Sequence, residues 1–548
     1  MSALRSRAPR ISGLVVGATA VTAGLLSAGV SEAVSGPEAT TGQFAATVKL
    51  SIGDEANGRN CSGTLIDSYW LATAASCFAA TPGDQVPAGK PALKAIATLS
   101  NDKTVEITEL APRTDRDLVL ARLATPATGV AGVKRATTAP AAGTSLTAVG
   151  FGRTKTEWTP NKLHTGYFTT NTVNATTLAI TGKGADVLCK GDTGGPLLNA
   201  AGEIVGINSR SWQGGCLGIA PSETRTGAVS VRTDDLGEWI DGYRSRASGW
   251  KTATAVQSGS SLYQGVRLPD GSWTGFTDVQ TKAGDLKGIR SSAVVGMNGD
   301  THLLAISNNG GLFHTIRKED GTWSTFGDVF AVANTLGNLT QVTATNIGYD
   351  LHVVAVADGK IFHTVRNAAG QWTKFGDVAG AAGPIGKVTA AATASTGGQL
   401  QVTAISGGKA YHTLRNTAGQ WTGWGDVAAA VGSTTGPITA VSMAGTGNDA
   451  QIVIATDNGT RQYHAIRNGN GTWTPLGELK PILGTVTAKS VAAAPVNGEL
   501  QLVVTTADNQ VLHTIRHTDR TWDTPIAVPL QGLPAAPGNI AITPTWTP

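Results

Sequence analysis

The second half of the chain is built from a sequence repeat. An arginine followed six positions later by a tryptophan recurs six times, at intervals of 49 to 52 residues. A full copy reads Phe-His-Thr-Ile-Arg-Lys-Glu-Asp-Gly-Thr-Trp, and Phe-Gly-Asp-Val follows it. A repeat of about 50 residues with four short strands and a glycine turn predicts a β-propeller blade and not a helical solenoid. The pairs are Arg267 with Trp273, Arg317 with Trp323, Arg366 with Trp372, Arg415 with Trp421, Arg467 with Trp473 and Arg516 with Trp522.

Six copies predict a six-bladed propeller over residues 248–548. The first copy lacks an upstream strand, because only Trp250–Gly259 precede its motif. The tail at Asn539–Pro544 has the pattern of that missing strand. We therefore predict that the tail completes blade one and closes the ring. Two copies depart from the pattern: Gln264 replaces the first histidine, and Arg520 replaces the sixth turn glycine.

Composition supports an all-β chain with more than one domain. The chain has 548 residues, too many for a single core, and its 70 glycines and 15% charged residues favour turn-rich β structure. The net charge of +4 is small and no basic run occurs. A nucleic-acid partner is therefore not expected.

Residues 1–33 are predicted to be a secretory signal peptide. Arg5, Arg7 and Arg10 precede an apolar run, and the run ends at the small-residue cleavage pattern Ser31-Glu32-Ala33. An uncleaved membrane anchor is the alternative, but glycine and alanine make the run weakly hydrophobic. We expect a secreted, extracellular protein without a membrane span in its mature form.

Four cysteines lie in the first half of the chain, and an even number in an exported protein favours two disulfides. Their spacing lacks the C-x₂-C pattern of zinc sites, so neither a metal nor another cofactor is expected. The cysteines are Cys61, Cys77, Cys189 and Cys216.

The first domain is expected to span residues 34–247 and to consist of short strands, because apolar and polar residues alternate between glycine and proline turns. A short terminal helix is predicted at Asp234–Ile240. The predicted strands are Phe44–Leu50, Val105–Leu110, Leu118–Leu123, Thr144–Val149 and Ile204–Asn208.

Four motifs of this domain occur in an order that resembles the trypsin-like serine protease family. They are the start at Val34–Phe44, the segment Cys61–Cys77, the segment Asp115–Leu120 and the loop Cys189–Pro196. The resemblance implies two packed six-stranded antiparallel β-barrels. It also implies the disulfides Cys61–Cys77 and Cys189–Cys216.

The catalytic triad implied by the resemblance is degenerate. Asp117 matches the carboxylate, but Ser76 stands at the histidine position and Thr193 at the serine position. A serine hydroxyl cannot accept and return a proton near pH 7. The only histidine of this domain, His164, is predicted to lie on a strand away from the catalytic loop.

The resemblance also assigns residues to the oxyanion hole, to the partner of the N-terminal amine and to the specificity pocket. Backbone N–H groups of Gly191 and Thr193 match the oxyanion hole, where they would stabilise a negatively charged oxygen. Asp192 matches the partner of a free N-terminal amine, and hydrogen bonding within its own loop is an equal alternative. Val187 aligns best with the base of the specificity pocket, with Asp186 one position away, which disfavours basic side chains.

The propeller resembles tectonin-like and fucose-binding β-propeller lectins. In such a lectin the six repeat tryptophans would stack on sugar rings, and the six repeat arginines would donate to hydroxyls. Alternatively, the tryptophans pack between blades and the Asp of Gly-Asp-Val caps a turn. For the repeat histidines, polar packing is preferred over metal binding; they are His314, His363, His412, His464 and His513.

The sequence thus predicts a secreted, catalytically inactive homologue of trypsin-like proteases joined to a carbohydrate-binding propeller. Its expected partners are glycans or cell-surface carbohydrate, and a protein at the degenerate cleft. One alternative is an active serine-type endopeptidase, a hydrolase with Thr193 as nucleophile. Another is a structural adhesin in which neither domain binds sugar.

Overall fold

The computed structural model describes residues 37–81, 83–432 and 436–548. The fold is all-β, with two closed barrels followed by six four-stranded sheets. The predicted signal peptide at residues 1–33 lies outside the described residues. No helix within the described ranges has the length and apolar character to span a bilayer.

The first barrel closes in the strand order β1-β2-β3-β6-β5-β4. Its centre is filled by alternating apolar side chains, including Val48, Leu50 and Leu71, all fully buried. A short 3₁₀ helix, Ala75–Cys77, follows β3. The strands are β1 (Thr47–Ile52), β2 (Arg59–Leu65), β3 (Trp70–Thr73), β4 (Ala95–Thr98), β5 (Thr104–Pro112) and β6 (Val119–Leu123).

The second barrel closes in the order β10-β11-β12-β9-β8-β7. A shared apolar cluster joins the two barrels, with Trp70 and Leu120 from the first and Ile207 from the second. The loops that carry Asp117 and Thr193 therefore lie beside the buried interface between the two barrels. The strands are β7 (Ser145–Gly150), β8 (His164–Val173), β9 (Thr177–Gly182), β10 (Pro196–Leu198), β11 (Ile204–Ser211) and β12 (Gly227–Arg232).

Two predicted elements start three residues later than the sequence suggested. The first strand begins at Thr47 because Phe44 occupies a turn with φ of +55°. The terminal helix, α1, spans Gly237–Arg244 instead of Asp234–Ile240. Its expected first residues are engaged elsewhere, since Asp234 and Asp235 form ion pairs with arginines of the barrels.

The second half forms six four-stranded sheets, the six predicted blades. Blade one contains β13 (Gly249–Ser258), β14 (Ser261–Arg267), β15 (Thr277–Asp278) and the terminal β36 (Pro537–Thr547); blade two contains β16 (Ile289–Met297), β17 (Asp300–Ser307), β18 (Leu312–Arg317) and β19 (Gly327–Asp328); blade three contains β20 (Leu339–Ile347), β21 (Asp350–Ala357), β22 (Lys360–Arg366) and β23 (Gly376–Asp377). Blade four contains β24 (Val388–Thr396), β25 (Gln399–Ser406), β26 (Lys409–Arg415) and β27 (Gly425–Asp426); blade five contains β28 (Ile438–Thr446), β29 (Asp449–Thr456), β30 (Arg461–Arg467) and β31 (Gly477–Glu478); blade six contains β32 (Ala488–Val496), β33 (Glu499–Thr506), β34 (Val511–Arg516) and β35 (Ile526–Ala527).

Short helices follow five of the blades, and the acid of Gly-Asp-Val caps several of them. Asp278, Asp328 and Asp426 each accept a hydrogen bond from a backbone N–H of the first turn. The helices are α2 (Val279–Ala283), α3 (Val329–Ala333), α4 (Ala379–Ala382), α5 (Val427–Val431) and α6 (Lys480–Leu483), with a 3₁₀ turn at Asp457–Gly459.

The terminal strand closes the ring as predicted. β36 pairs antiparallel with β13, with Val256 opposite Ile540 and Trp250 opposite Trp546. The strand is longer than the predicted Asn539–Pro544. Together with the inner strands of the other blades, it surrounds a central channel of about 370 Å³ lined by small side chains such as Ser292 and Thr343.

α1 joins the barrels to blade one. Its Arg244 forms an ion pair with Asp67 of the first barrel at 3.1 Å and donates to Ser272 Oγ of blade one at 3.0 Å. Asp241 accepts a hydrogen bond from the Gly275 backbone N–H at 2.7 Å. The two domains therefore meet through specific polar contacts.

Candidate functional site

Two disulfides clamp the loops around a cleft between the barrels. Cys61 is bonded to Cys77 and Cys189 to Cys216, which confirms both predicted pairings. The first bond holds the Ser76 segment, and the second holds the loop that carries Thr193. Each is expected to stabilise the fold by about 2–4 kcal/mol.

Asp117 is the hydrogen-bond acceptor at the centre of the cleft. Its Oδ1 accepts from the Ser76 backbone N–H at 2.7 Å, and its Oδ2 accepts from the Ser76 hydroxyl at 2.9 Å. Ser209 Oγ donates to the same Oδ2 at 2.6 Å. The carboxylate is therefore bound by hydroxyl and amide donors, in place of the imidazole it would orient in a working triad.

Thr193 directs its hydroxyl away from any proton acceptor of catalytic use. Thr193 Oγ1 donates to the Ser209 backbone carbonyl at 3.3 Å. A carbonyl oxygen is not basic enough to remove the proton and create a nucleophile. The methyl group of threonine further restricts its side-chain rotation.

No described residue lining the cleft is a histidine. The cleft has a volume of about 660 Å³ and is lined by Ser76, Asp117, Thr193 and Ser209, among others. All nine histidines of the chain lie in the described residues. His164 begins β8, opposite Gly150, and the other eight belong to the propeller. The cleft thus contains a hydroxyl and a carboxylate without the base that links them.

The backbone of the oxyanion-hole positions is held in a fixed orientation. The Arg153 N–H donates to the Lys190 carbonyl at 2.9 Å, so the Gly191 N–H of the same trans peptide points the opposite way. Ser62 Oγ donates to the Gly191 carbonyl at 2.8 Å. No described residue accepts a hydrogen bond from the N–H of Gly191 or Thr193. Both N–H groups of the predicted oxyanion hole are therefore available to donate, and their role stays a prediction.

Asp192 is fully buried inside its loop. Its carboxylate accepts hydrogen bonds from the backbone N–H groups of Cys189 and Gly152, each at 2.8 Å. Burial raises the pKa of Asp192 to about 7. A Cβ at position 152 would collide with this carboxylate, so the site needs glycine there. The start of the mature chain lies outside the described residues, so pairing with a terminal amine stays a prediction.

The two pocket residues considered from the sequence lie in different surroundings. Val187 is fully buried against the Cys189–Cys216 disulfide. Asp186 accepts a hydrogen bond from the Tyr167 backbone N–H at 2.7 Å. Neither residue lines the cleft.

Sequence reasoning missed the role of Ser209. The pairing of β11 with β12 shifts register between Asn208 and Arg210, which makes Ser209 the extra residue of a β-bulge. A bulge redirects a side chain, and here it directs the hydroxyl to Asp117. The predicted strand ended at Asn208, whereas β11 continues to Ser211, so the sequence pattern gave no signal for the bulge.

The geometry agrees with the comparison to known families. Residues 33–240 match the family model described as Trypsin. The first domain is trypsin-like. The match ends within α1, so the propeller lies beyond it.

A second group of candidate residues lies between the propeller blades. Five repeat tryptophans pack edge-to-face against a histidine of the preceding blade, with ring centroids 5.5–5.9 Å apart. The repeat arginine forms a β-bridge with its tryptophan, which puts both side chains on one face. We call these groups the interblade clusters. They are His314 with Arg366 and Trp372, His363 with Arg415 and Trp421, His412 with Arg467 and Trp473, His464 with Arg516 and Trp522, and His513 with Arg267 and Trp273.

The cluster histidines are structural and uncharged at neutral pH. His314 forms a hydrogen bond with His302 at 3.0 Å, and His363 forms one with His352 at 3.1 Å. The other three cluster histidines form hydrogen bonds with glutamines. Burial lowers the pKa of all five cluster histidines to about 3. Within the described chain, no group of three or more His, Cys, Asp and Glu side chains is arranged to hold a metal ion.

The repeat tryptophans pack between the blades, which is one of the two roles considered from the sequence. Each packs against an apolar core cluster, and these clusters are shared by neighbouring blades. Trp273 packs against the cluster with Val503, Trp372 against that with Val353, Trp473 against that with Ile452, and Trp522 against that with Leu502. Trp323 and Trp421 pack in the same way against the clusters with Leu303 and Leu400.

The physical reason for this packing is the burial of apolar ring area. A large aromatic ring gains more from packing between two sheets than from lying open in water. At Trp273, the indole Nε1 is itself buried and has no hydrogen-bond partner among the described residues, so it cannot donate to a sugar hydroxyl. Interblade packing, the alternative considered from the sequence, therefore describes Trp273, Trp372, Trp473 and Trp522 better than a free platform does.

Packing does not enclose these rings completely. All six repeat tryptophans are half-buried. A ligand could therefore reach the accessible part of a ring, although not a whole open face. Sugar contact at these positions stays a prediction.

Arg317 is the one repeat arginine outside the five interblade clusters, and its environment differs from theirs. Arg317 donates to Ser245 Oγ, just beyond α1, at 2.8 Å, and burial lowers the pKa of this guanidinium to about 10. Arg317, Trp323 and Gln264 line a cavity of about 330 Å³ that Glu238 and Asp241 of α1 also line. The trypsin-like domain thus covers the position between blades one and two.

Proposed function

We propose that this protein is a secreted binding protein that combines a catalytically inactive trypsin-like domain with a carbohydrate-binding propeller. The observation that carries the inactive assignment is the hydrogen bonding of the cleft. Asp117 is occupied by Ser76 and Ser209, and the Thr193 hydroxyl donates to a carbonyl. In subtilisin, an example taken from general enzymology, removing the nucleophile or its base costs about 10⁶ in kcat.

Restoring the triad tests this proposal. The wild-type protein should not react with a fluorophosphonate probe, and the double variant Ser76→His, Thr193→Ser should become labelled and hydrolyse peptide esters. The single variant Thr193→Ser is the matched control and should stay inactive, because it still lacks a base. Labelling of wild-type Thr193 would overturn the proposal.

The cleft keeps a surface suited to a polypeptide partner. Trp212 is 56% exposed beside the lining residue Gln213, and the Arg225 guanidinium stacks on its ring at 3.5 Å. Exposed tryptophan and arginine are typical of protein-binding surfaces. We expect a protein inhibitor of trypsin-like proteases to bind the full chain in calorimetry, and Trp212→Ala to weaken it. Equal binding by the variant would exclude this surface.

Carbohydrate binding is supported by the interblade clusters, which place a planar donor beside an aromatic ring five times around the propeller. A glycan array probed with the full chain should give binding that free sugar displaces. An array without signal would contradict this part of the proposal and leave the inactive cleft untouched.

A further inference from the structure

Among the described residues, the guanidinium groups of five repeat arginines have no hydrogen-bond or ion-pair partner. In the described part of the chain, no side chain or carbonyl accepts a hydrogen bond from them, and no carboxylate forms an ion pair with them. By contrast, Arg116, Arg232 and Arg244 of the first domain are all paired with aspartates. Burying a charge is costly unless a partner compensates it, and burial lowers the pKa of Arg366, Arg467 and Arg516. The five arginines are Arg267, Arg366, Arg415, Arg467 and Arg516, and all are half-buried.

These arginines also act on the histidines beside them. Arg366 lies close enough to the cluster histidine His314 to lower the pKa of its imidazole, and no carboxylate acts against it there. The other repeat arginines act in the same way on the histidine of the preceding blade. Where no carboxylate lies near the cluster, the space beside it is therefore electropositive, and the neutral histidine does not compensate the charge of the arginine.

Four of the five interblade clusters have this uncompensated positive charge. The fifth cluster and the repeat position of Arg317 do not. At the junction of blades six and one, the carboxylate of Asp523 lies close enough to raise the pKa of His513. Between blades one and two, Arg317 already donates to Ser245 and α1 covers the position. The four equivalent sites lie between consecutive blades from two to six.

We propose that these four clusters bind acidic sugars, with the arginine pairing to a carboxylate or sulfate and the accessible part of the tryptophan contacting the pyranose ring. This inference rests on the proposed carbohydrate binding and names its ligand class. A guanidinium forms two parallel hydrogen bonds with a carboxylate or sulfate, and such charge-assisted bonds are about twice as strong as neutral ones. A neutral sugar would leave the charge of the arginine uncompensated.

The test compares each acidic oligosaccharide with its own neutral form. The probes are a uronic-acid oligosaccharide with its carboxyl-reduced form, and a sulfated oligosaccharide with its desulfated form, titrated into the full chain by calorimetry. We expect the acidic member of at least one pair to bind about tenfold more tightly or better, with four sites and an affinity that falls with added salt.

Variants locate the binding. The quadruple variant Arg366→Gln, Arg415→Gln, Arg467→Gln and Arg516→Gln should lose at least about tenfold in affinity for the acidic probe. A control with the same change in net charge replaces four exposed lysines of the propeller with glutamine and should bind as the wild type does; they are Lys318, Lys360, Lys387 and Lys409. Near-ultraviolet circular dichroism checks that both variants are folded.

The outcomes separate this inference from the proposed function. Equal affinity for acidic and neutral probes, lost in the arginine variant, would overturn the acidic ligand class and keep carbohydrate binding. Unchanged acidic binding in the arginine variant would overturn the assignment of the site. Absence of any sugar binding on the array and in calorimetry would overturn both.

Discussion

Asp192 shows how one buried residue can make stability depend on pH. Its carboxylate has two backbone donors, at Cys189 and Gly152, and no described cation. Its pKa of about 7 in the folded protein lies above its ordinary value of 3.8. The folded state therefore binds the proton more tightly than the unfolded state does. The contribution of this group to stability is complete below pH 3.8 and is lost as pH rises to about 7.

We predict that Asp192→Asn flattens the dependence of the unfolding free energy on pH between 4 and 7. The largest slope that one proton can give is about 1.4 kcal/mol per pH unit. Chemical denaturation at several pH values, wild type against variant, measures the difference. Asp186→Asn removes a carboxylate nearby in the chain and should keep the wild-type slope.

A wild-type stability that rises with pH between 4 and 7 would contradict this prediction. A terminal amine paired with ionised Asp192 would stabilise the charged form, and wild-type stability would then rise with pH in this range. That outcome would replace hydrogen bonding within the loop by the family's N-terminal pairing.

α1 is the element that joins the two domains. The eight-residue helix places Ile240 in the shared cluster of the barrels, while Asp241 and Arg244 contact blade one. Just beyond it, Ser245 accepts from Arg317 of blade two. A hydrogen bond from a charged donor contributes about 1.5–3 kcal/mol.

We predict opposite effects for two equivalent arginines. Arg317→Ala should lower the thermal midpoint by several degrees, because about 1 kcal/mol corresponds to roughly 2–4 °C in a domain of this size, and it should leave sugar binding intact. Arg366 occupies the same repeat position and has no hydrogen-bond partner among the described residues. Arg366→Ala should therefore remove one of the four sugar sites and destabilise less. Calorimetric scanning and titration of both variants measure the two effects. A similar response of both variants would contradict a special role for Arg317.

These elements show what the sequence could predict. The Arg–Trp period gave the six blades and the closing strand, because blade identity repeats along the chain. The sequence around Arg317 does not distinguish it from Arg366, because the difference between them is the contact of Arg317 with the neighbouring domain. Ser209 was missed because a β-bulge breaks the alternation on which strand prediction depends. The start of α1 was misplaced because Asp234 and Asp235 resemble helix-start residues but form ion pairs with arginines.

The repeat tryptophans show the same limit for the candidate sugar sites. A tryptophan that recurs once per blade has the same spacing whether it binds a ligand or packs between sheets. Contacts with the neighbouring blade decide between these roles. That blade is formed by a separate stretch of the chain, so the local sequence around the tryptophan does not show the contacts. The structure shows the packing contacts at Trp273, Trp372, Trp473 and Trp522, which the sequence left as an alternative.

At the scale of the whole molecule, the ring depends on its terminal strand. β36 is the inner strand of blade one and pairs with β13 along almost its full length. Ile540 and Ile542 also pack in a cluster with Val503 of blade six. Removing the strand would expose that cluster and the inner edge of β13.

We predict that deleting residues 537–548 abolishes sugar binding and makes the propeller sensitive to protease. The trypsin-like domain, with its two disulfides, should remain resistant to digestion. Limited proteolysis with mass spectrometry would identify which half is cleaved. Trp546→Ala, at an exposed position of the same strand, is the matched control and should behave as the wild type does. Full resistance of the truncated propeller would show that the ring does not need closure.

The pairing of β36 with β13 also sets an order of folding. Blades two to six are each made from one continuous stretch of chain, so their strands meet through short loops and can form early. Blade one must bring together segments separated by most of the propeller sequence, and closing so long a loop is entropically unfavourable. On the ribosome, five blades can therefore form while the ring is still open. Until the last strand emerges, the edges of blades one and six are exposed and are the surfaces at which a chaperone would have to act.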